Sequence, residues 1–206
     1  MKKKTFNDSK IIVLETRSLT EKSLLDYLQK RCIPVHIANR FCREVDFLLY
    51  GRKQTVIGFK NNAGGFELRG PYFKGSGSPK GTSFFDNGKE KLDVFEGFFN
   101  YLSYQAIHQQ QTTQLTNFLV LNSLAFFEKE KERMESHQQI NLYLDNDTSG
   151  KKYTQQALEW SKKFVDQSHL YKAHKDLNAS LMQQQLSLIK HPVVAQKQGP
   201  RLYKEF

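Results

Sequence analysis

From about residue 91 onward, the sequence alternates short apolar runs with longer stretches of helical periodicity. Strands are predicted at 92–95, 118–121, 140–144 and 168–171. Helices are predicted at 98–109, 150–165 and 177–190, with a further helix that Ser123 caps and that runs to about Ser136. Strand and helix in regular alternation are typical of βα units and of a mostly parallel sheet. Residues 89–191 are therefore expected to form an α/β domain.

The first 88 residues have a different pattern, which predicts a small α+β subdomain. A strand at 11–14 precedes a helix at 23–30 and a second helix that Pro34 opens. Strands are then predicted at 45–50, 55–60 and 65–69. Residues 74–90 are rich in Gly, Ser, Lys and Pro, so we expect a loop there and a domain boundary near Asn87-Gly88. Residues 192–206 have weak patterning and are expected to form a tail.

The chain is strongly basic. Among its 206 residues, 31 are Lys or Arg and 21 are Asp or Glu, which gives a net charge of +10. Apolar residues make up 38% and charged residues 25%, which fits a globular protein and excludes wholesale disorder. A soluble protein with this excess of positive charge usually binds a polyanion, most often nucleic acid. The alternative is a charge that serves solubility alone, because net charge does not determine the fold.

Other features of the sequence exclude several classes of protein. Cys32 and Cys42 have no CxxC spacing, so we expect neither a structural zinc site nor a disulfide framework. No apolar run reaches the roughly 18 residues that a membrane span needs. The residues after the basic start at 1–4 are too polar for a signal peptide. We therefore expect a cytoplasmic protein with reduced thiols and no membrane partner.

Acidic residues follow three of the predicted strands, at the point where each strand ends. Glu96 follows the first, Asp145 and Asp147 follow the third, and Asp176 comes after the fourth. Because the carboxyl ends of parallel strands meet at one edge of a sheet, we expect these four side chains to converge there. Crowded carboxylates repel one another unless a cation neutralises them. Oxygen ligands of this kind suit Mg²⁺ or Mn²⁺, so the sequence predicts a metal site at this edge.

Taken singly, each of these acids has a simpler explanation. An acid followed by Gly is common after a strand, and Asp147 alone is more often a helix cap than a ligand. Asp176 alone is typical of a helix start. The ordered set of acids favours the functional interpretation over the structural one.

Three segments resemble the motifs of the Toprim domain. Residues 94–103, Val-Phe-Glu-Gly-Phe-Phe-Asn-Tyr-Leu-Ser, resemble the primase form of the glutamate motif. Residues 144–150, Leu-Asp-Asn-Asp-Thr-Ser-Gly, resemble the primase pattern Asp-x-Asp-x-x-Gly, and residues 175–178, Lys-Asp-Leu-Asn, resemble the later acidic element. The resemblance covers about residues 90–180. It implies the Toprim fold, a Rossmann-like, mostly parallel sheet with helices on both faces.

The segment before it resembles the basic subdomain that precedes Toprim in DnaG-type bacterial primases. The resemblance lies in residues 56–59, 64–69 and 78–80, and it is strongest to primase-like proteins of bacterial mobile elements. The zinc-binding module that often precedes this region in those proteins is not found in this sequence, so either the chain is a fragment or this form lacks the module. Two positions depart from the primase pattern. Asn100 stands where primases often have Asp, and residues 121–123 replace a Gly-Thr turn.

The resemblance implies a DNA primase, a nucleotidyltransferase that makes RNA primers with Mg²⁺ or Mn²⁺. Its implied partners are a single-stranded DNA template, ribonucleoside triphosphates and a replicative helicase. In this interpretation Asp145 and Asp147 bind the metal, Asp176 supports it, and Glu96 binds metal or assists proton transfer. The residues expected to hold nucleotide or template phosphates are Arg69, Lys74, Lys80 and Lys175. Several aromatic rings lie among these basic residues in the sequence. They would either stack on bases or pack in the core or loops, and they are Phe66, Tyr72, Phe73, Phe84 and Phe85.

Two other functions remain open at this stage. A Toprim nuclease would use the same acids with water as the nucleophile. A non-catalytic DNA-binding module of a replication or mobilisation complex would use only the basic surface. A topoisomerase does not fit, because the chain has no room for a tyrosine-bearing strand-passage domain.

Overall fold

The computed structural model describes residues 11–111 and 115–190. The predicted tail at 192–206 lies outside the described residues. Among the helices described, none has the combination of length and apolar character that crossing a membrane requires.

The first part of the chain folds into an antiparallel sheet of five strands with two helices, as the sequence predicts. The strands follow one another in sequence order: β1 (Ile12–Arg17), β2 (Cys42–Leu49), β3 (Arg52–Lys60), β4 (Phe66–Arg69) and β5 (Lys74–Ser76). Between β1 and β2 lie α1 (Lys22–Lys30) and α2 (Val35–Phe41), the latter starting directly after Pro34. This α+β arrangement confirms the predicted class of the first part.

The second part is a five-stranded sheet in the order β10-β9-β7-β8-β6. Four strands are parallel, and β6 runs antiparallel to β8 at the edge. The strands are β6 (Ser83–Phe85), β7 (Lys91–Phe95), β8 (Asn117–Val120), β9 (Gln139–Tyr143) and β10 (Phe164–Asp166). The helices are α3 (Phe98–Ile107), α4 (Lys131–Glu135), α5 (Thr148–Trp160) and α6 (Leu177–Lys190). The predicted α/β class is therefore confirmed.

The predicted loop at 74–90 is wrong, because it contains two strands. β5 pairs with β4 through a turn in which Gly70 N–H donates to the Phe73 carbonyl at 2.8 Å. β6 pairs with β8, which lies more than 30 residues later in the chain, so local composition gives no sign of it. The second sheet thus takes a strand from before the predicted boundary near residue 88. The division into domains at that residue stays a prediction.

Three further predictions need correction. The helix expected from Ser123 to Ser136 is broken into two 3-10 turns and the short α4, although Ser123 does cap the first turn. The helix expected at 150–165 ends at Trp160, since Phe164 pairs with Ile140 as part of β10. Residues 168–171 form a 3-10 turn rather than a strand. There the Asp166 carboxylate accepts from Ser168 N–H, which favours a turn.

One hydrophobic core spans both parts of the chain. Leu28 of α1, Ile37 of α2 and Phe59 of β3 belong to the same buried cluster as Phe95 of β7 and Tyr101 of α3. A second core on the other face of the parallel sheet contains buried side chains of β7, β8 and β9, packed beneath α5. The shared core holds the antiparallel sheet against the parallel one, and this contact positions the residues described next.

Candidate active site

A cavity of about 680 Å³ opens between the antiparallel sheet and the carboxyl ends of the parallel strands. Its acidic lining residues are Glu67, Glu96, Asp145, Asp147 and Asp176. Its basic lining residues are Arg31, Arg69, Lys74 and Lys80. All four acids that the sequence singled out therefore reach one space.

Neighbouring strands place Glu96 beside Asp145. In the parallel ladder Phe95 of β7 is opposite Tyr143 of β9, so the residues just past both strand ends lie side by side. The Glu96 Oε2 accepts a hydrogen bond from the Asp145 backbone N–H at 3.2 Å. The first two acids of the set are thus held together by the sheet itself.

Asp147 is both a helix cap and a lining residue of the cavity. Its Oδ1 accepts from the N–H groups of Ser149 and Gly150, each at 3.0 Å, at the start of α5. Gly150 is required here, because a Cβ at this position would lie 2.0 Å from the Asp145 carbonyl oxygen. The glycine of the Asp-x-Asp-x-x-Gly pattern therefore lets α5 start directly against the end of β9. The cap interpretation of Asp147 is confirmed, and because the cap uses one carboxylate oxygen it is compatible with the ligand interpretation, which stays a prediction.

Asp176 reaches the cavity through a loop that Asn146 holds in place. The Asn146 side chain donates to the carbonyls of Tyr171 and His174, at 3.1 and 3.0 Å. Its backbone N–H donates to the Lys175 carbonyl at 2.6 Å. Asp176 also starts α6, where its Oδ1 accepts from Ala179 N–H at 2.7 Å. Its position at the site is as predicted, although the preceding element is a turn and not a strand.

Burial and mutual repulsion hold a high pKa on two of the acids. Burial, followed by the negative charge of Asp145, raises the pKa of Glu96 to about 7. Burial and the charge of Asp176 raise the pKa of Asp145, while hydrogen bonding from Asn100 acts in the opposite direction. A bound cation would relieve this repulsion.

The arrangement of the acids is open rather than a closed cage. Within the described residues, no group of three or more His, Cys, Asp or Glu side chains is close enough to hold a metal ion. The donors nevertheless fit Mg²⁺, because they are all carboxylates at one cavity. This ion takes few protein ligands and completes its shell with water and substrate phosphates.

Basic residues line the same cavity as the acids. Arg69 on β4 lines it together with Lys74 on β5 and Lys80 in the following loop. Burial lowers the pKa of Arg69, and the charges of Asp176 and Asp145 act in the opposite direction, so Arg69 is within electrostatic reach of the acids. Lys175 is exposed and does not line the cavity, although its charge lowers the pKa of Glu96.

Sequence reasoning missed Arg31, which lies directly after α1. Its Nε donates to the Oδ1 of the fully buried Asn178, and the Asn178 side chain donates back to the Arg31 carbonyl at 2.9 Å. The guanidinium lies 4.7 Å from the centre of the Phe99 ring. Among the ion pairs of residues 11–111 and 115–190, none joins Arg31 to a carboxylate within 4.0 Å. A charge fixed in this way at a cavity is typical of an anion-binding group.

The rings that the sequence proposed for base stacking lie elsewhere. Phe66 and Phe73 pack against the small core of the antiparallel sheet, while Phe84 and Phe85 pack against the two larger cores. Tyr72 is fully exposed, and none of the five lines the cavity. The rings that do line it are Phe98, Phe99 and Phe126.

Two protein families match parts of this chain. Residues 94–181 match the Toprim-like family. Residues 13–78 match a second family, described as a domain of unknown function (DUF8464). The Toprim match begins in β7 and ends in α6, so it includes all four predicted metal-binding acids. No curated protein sequence matches the chain.

Two solved structures from bacteriophage T7 have a similar fold. The primase fragment of the bacteriophage T7 primase-helicase protein is 20% identical, with a TM-score of 0.56 over 79% of this chain and 72% of that one. A chain in the structure of the T7 lagging-strand DNA polymerase with primase domains of two gp4 subunits, an RNA/DNA hybrid and dTTP is 19% identical. Its TM-score is 0.51, over 76% of this chain and 88% of that one. Together with the Toprim-like family match over residues 94–181, these likenesses confirm the predicted fold class with a preceding subdomain.

Proposed function

We propose that this chain is a primase-type nucleotidyltransferase that makes RNA primers on single-stranded DNA. The observation that carries the proposal is the cavity in which Glu96, Asp145, Asp147 and Asp176 face a set of basic residues. Acids that suit a divalent cation and cations that suit phosphates are the two requirements of phosphoryl transfer. The likeness to phage primase structures agrees with this reaction.

Each residue has a proposed role in the reaction. Asp145 and Asp147 would hold Mg²⁺ or Mn²⁺, with Asp176 supporting them. Such an ion would neutralise the negative charge of the substrate phosphates. Arg69, Lys74 and Lys80 would bind phosphates of the nucleotide or the template, and Lys175 would attract the template from the rim.

Glu96 is proposed to take the proton. The attacking 3′-hydroxyl oxygen bonds to the α-phosphorus, the bond to pyrophosphate breaks, and the hydroxyl proton passes to a base. The Oε2 of Glu96 accepts from Asp145 N–H, which leaves Oε1 for this proton. A pKa of about 7, raised by burial and by Asp145, suits a base that works near neutral pH.

Arg31 is added to the phosphate-binding set. It lines the same cavity as Arg69, and its position is fixed by a buried amide. We expect Arg31→Ala to weaken nucleotide use by about 10- to 100-fold, through loss of a charge-assisted contact. The matched control is Arg52→Ala, which removes the same charge at an exposed position of β3 outside the cavity.

One observation favours a second candidate, a non-catalytic DNA-binding module. Within the described residues, the acids do not form a closed group of three metal ligands. A module of this kind would bind single-stranded DNA through the basic residues and would form no product with or without metal. A nuclease, in contrast, would cut the DNA.

A single assay separates these functions. The protein is incubated with single-stranded DNA, labelled ribonucleoside triphosphates and Mg²⁺, alongside Asp145→Asn and the control Glu159→Gln, an exposed acid on α5. Primers made by the wild type and the control but not by Asp145→Asn support the primase. DNA cleavage without primers supports the nuclease, and DNA binding without either product supports the module. A replicative helicase partner and a cytoplasmic location remain part of the proposal.

A further inference from the structure

Asn100 lies at the boundary between the cavity and the shared core. It is in the first turn of α3, is 6% exposed and lines the cavity. Its side-chain nitrogen donates to the Asp145 Oδ1 at 2.8 Å. Its side-chain oxygen accepts from the backbone N–H of Asn178, at the start of α6, at 3.4 Å. One amide therefore connects an acid of the site with a helix terminus.

The Asn100 amide meets two opposite requirements at this position. Asp145 needs a donor, and the Asn178 N–H needs an acceptor. An aspartate at position 100 would accept from Asn178 but would repel the Asp145 carboxylate unless a cation lay between them. An aliphatic residue would satisfy neither group.

We propose that Asn100 is a positioning residue that fixes one oxygen of Asp145. Its neutral amide occupies a position at which an ionised carboxylate would be stable only with a cation beside it. The other Asp145 oxygen is then left for the cavity. This inference rests on the proposed function, because that function assigns the cation to Asp145 and Asp147.

The chain contains a matched control for this arrangement. Asn141 on β9 donates to the Asp93 Oδ1 at 2.7 Å, and Asp93 is 2% exposed. The Asn141 side-chain oxygen accepts from Gln139 at 2.9 Å and from Gln167 at 3.2 Å. This pair has the same chemistry as Asn100 and Asp145, but it does not line the cavity.

The experiment compares Asn100→Asp with Asn141→Asp in the full chain. Each change sets a second carboxylate against an Asp, so each should lower the melting temperature by about 5 °C in EDTA. In 10 mM MgCl₂ the Asn100→Asp protein should recover most of that loss, while the Asn141→Asp protein should not. Equal losses with no recovery in either variant would overturn the inference, because Asn100 would then serve packing alone.

Asn100→Ala supplies a second measurement that does not depend on tolerating a new charge. It leaves Asp145 without its donor, so we expect Mn²⁺ binding, followed by electron paramagnetic resonance, to weaken about tenfold. Asn100→Asp should bind Mn²⁺ at least as tightly as the wild type. Unchanged Mn²⁺ affinity in Asn100→Ala would contradict the positioning role.

These measurements separate the inference from the proposed function. Recovery of Asn100→Asp in Mg²⁺ without primer synthesis by the wild type would support the inference and reject the primase. Primer synthesis by the wild type without such recovery would support the primase and reject the inference. A wild type that neither binds Mn²⁺ nor makes primers would reject both.

Discussion

Two groups of carboxylates in this molecule have opposite surroundings, one on the antiparallel sheet and one at the cavity. On the antiparallel sheet, Glu44 and Asp46 are 1% and 2% exposed, and charged or N–H groups surround them. Arg17 contacts both carboxylates, at 2.8 and 2.9 Å, and Lys53 contacts Asp46 at 2.8 Å. At the cavity, Asp145 has one side-chain donor and Glu96 has one backbone donor.

The pKa values differ in the same sense. Hydrogen bonds from Arg17, Lys53 and Thr55 lower the pKa of Asp46. Burial alone would raise the pKa of Glu44, but backbone N–H groups and Arg17 outweigh it and lower the value. Glu96 and Asp145 have raised values because burial and like charges dominate. For these four acids, the groups that surround the carboxylate decide the direction of the pKa shift, and burial alone does not.

The largest expected effect comes from Asp145→Asn at the cavity. Primer synthesis should fall by about 1,000-fold, equivalent to roughly 4 kcal/mol, because a metal-binding carboxylate is lost. The melting temperature should stay level or rise, since the change removes repulsion and the new side-chain oxygen can still accept from Asn100. Activity assays and thermal unfolding measure the two effects. If Asp145→Asn also lowered the melting temperature enough to explain the lost activity, Asp145 would be a structural acid like Asp46.

Asp46→Asn should have the reverse effect. It leaves Arg17 and Lys53 without one of their carboxylate partners, so we expect the free energy of unfolding to fall by about 2 kcal/mol. Primer synthesis per folded molecule should not change, because Asp46 does not line the cavity. Urea unfolding gives the stability. A stable Asp46→Asn protein would show that the charged cluster is dispensable.

Local patterns predicted the acids of the site better than the groups that hold them. Asp145 and Asp147 follow an apolar run that is typical of a strand. Because ligands bind beyond the carboxyl ends of parallel strands, this position predicts that both acids lie at the site. Asp176 was placed correctly although the element before it was not, because the chain returns to the same sheet edge. Arg31 and Asn178 are 147 positions apart, and only the shared core brings them together.

The same limit applies to the segment at 74–90. Its Gly and Ser content is typical of loops, yet Gly75 lies in β5 and Phe84 in β6 because partner strands are available. Tertiary pairing outweighs local propensity in these short edge strands. The rings proposed either for base stacking or for packing lie outside the cavity for a related reason. A ring that is near basic residues in the sequence packs wherever a core has space for it. The position of that space depends on the tertiary structure and cannot be inferred from the local sequence.

Lowering the pH should reveal the contribution of Glu44 and Asp46 to the free energy of unfolding. Glu44 and Asp46 have folded pKa values below the unfolded values of about 4, so the unfolded state binds more protons as the pH falls. Their contribution is fully present above about pH 5 and is lost as the pH falls toward 2. Unfolding in urea from pH 6 to pH 2.5 should be less pH-dependent in Asp46→Asn than in the wild type. Parallel curves would show that these carboxylates do not govern acid unfolding.

The smallest expected effect concerns Glu67, which tests whether the sheet or the cavity decides the behaviour of an acid. Glu67 is on β4 of the antiparallel sheet, as Glu44 and Asp46 are on β2, but it lines the cavity. Burial raises its pKa to about 7, although Lys80 and Lys74 act against this. The pKa of Glu67 is therefore shifted in the same direction as the pKa values of the cavity acids, and not in the direction of Glu44 and Asp46 on the same sheet.

The sign of the pH effect follows from that raised value. Between the unfolded pKa of about 4.3 and the folded pKa of about 7, the folded state binds more protons, so Glu67 lowers stability as the pH rises through this window. Glu67→Gln should remove this loss and melt slightly higher than the wild type at pH 8, relative to pH 5. The control Glu159→Gln, at an exposed position, should leave the difference unchanged. If Glu67→Gln also leaves the difference in melting temperature between pH 8 and pH 5 unchanged, the pKa of Glu67 is not raised in the folded state. Its carboxylate would then be stabilised by partners, as that of Glu44 is.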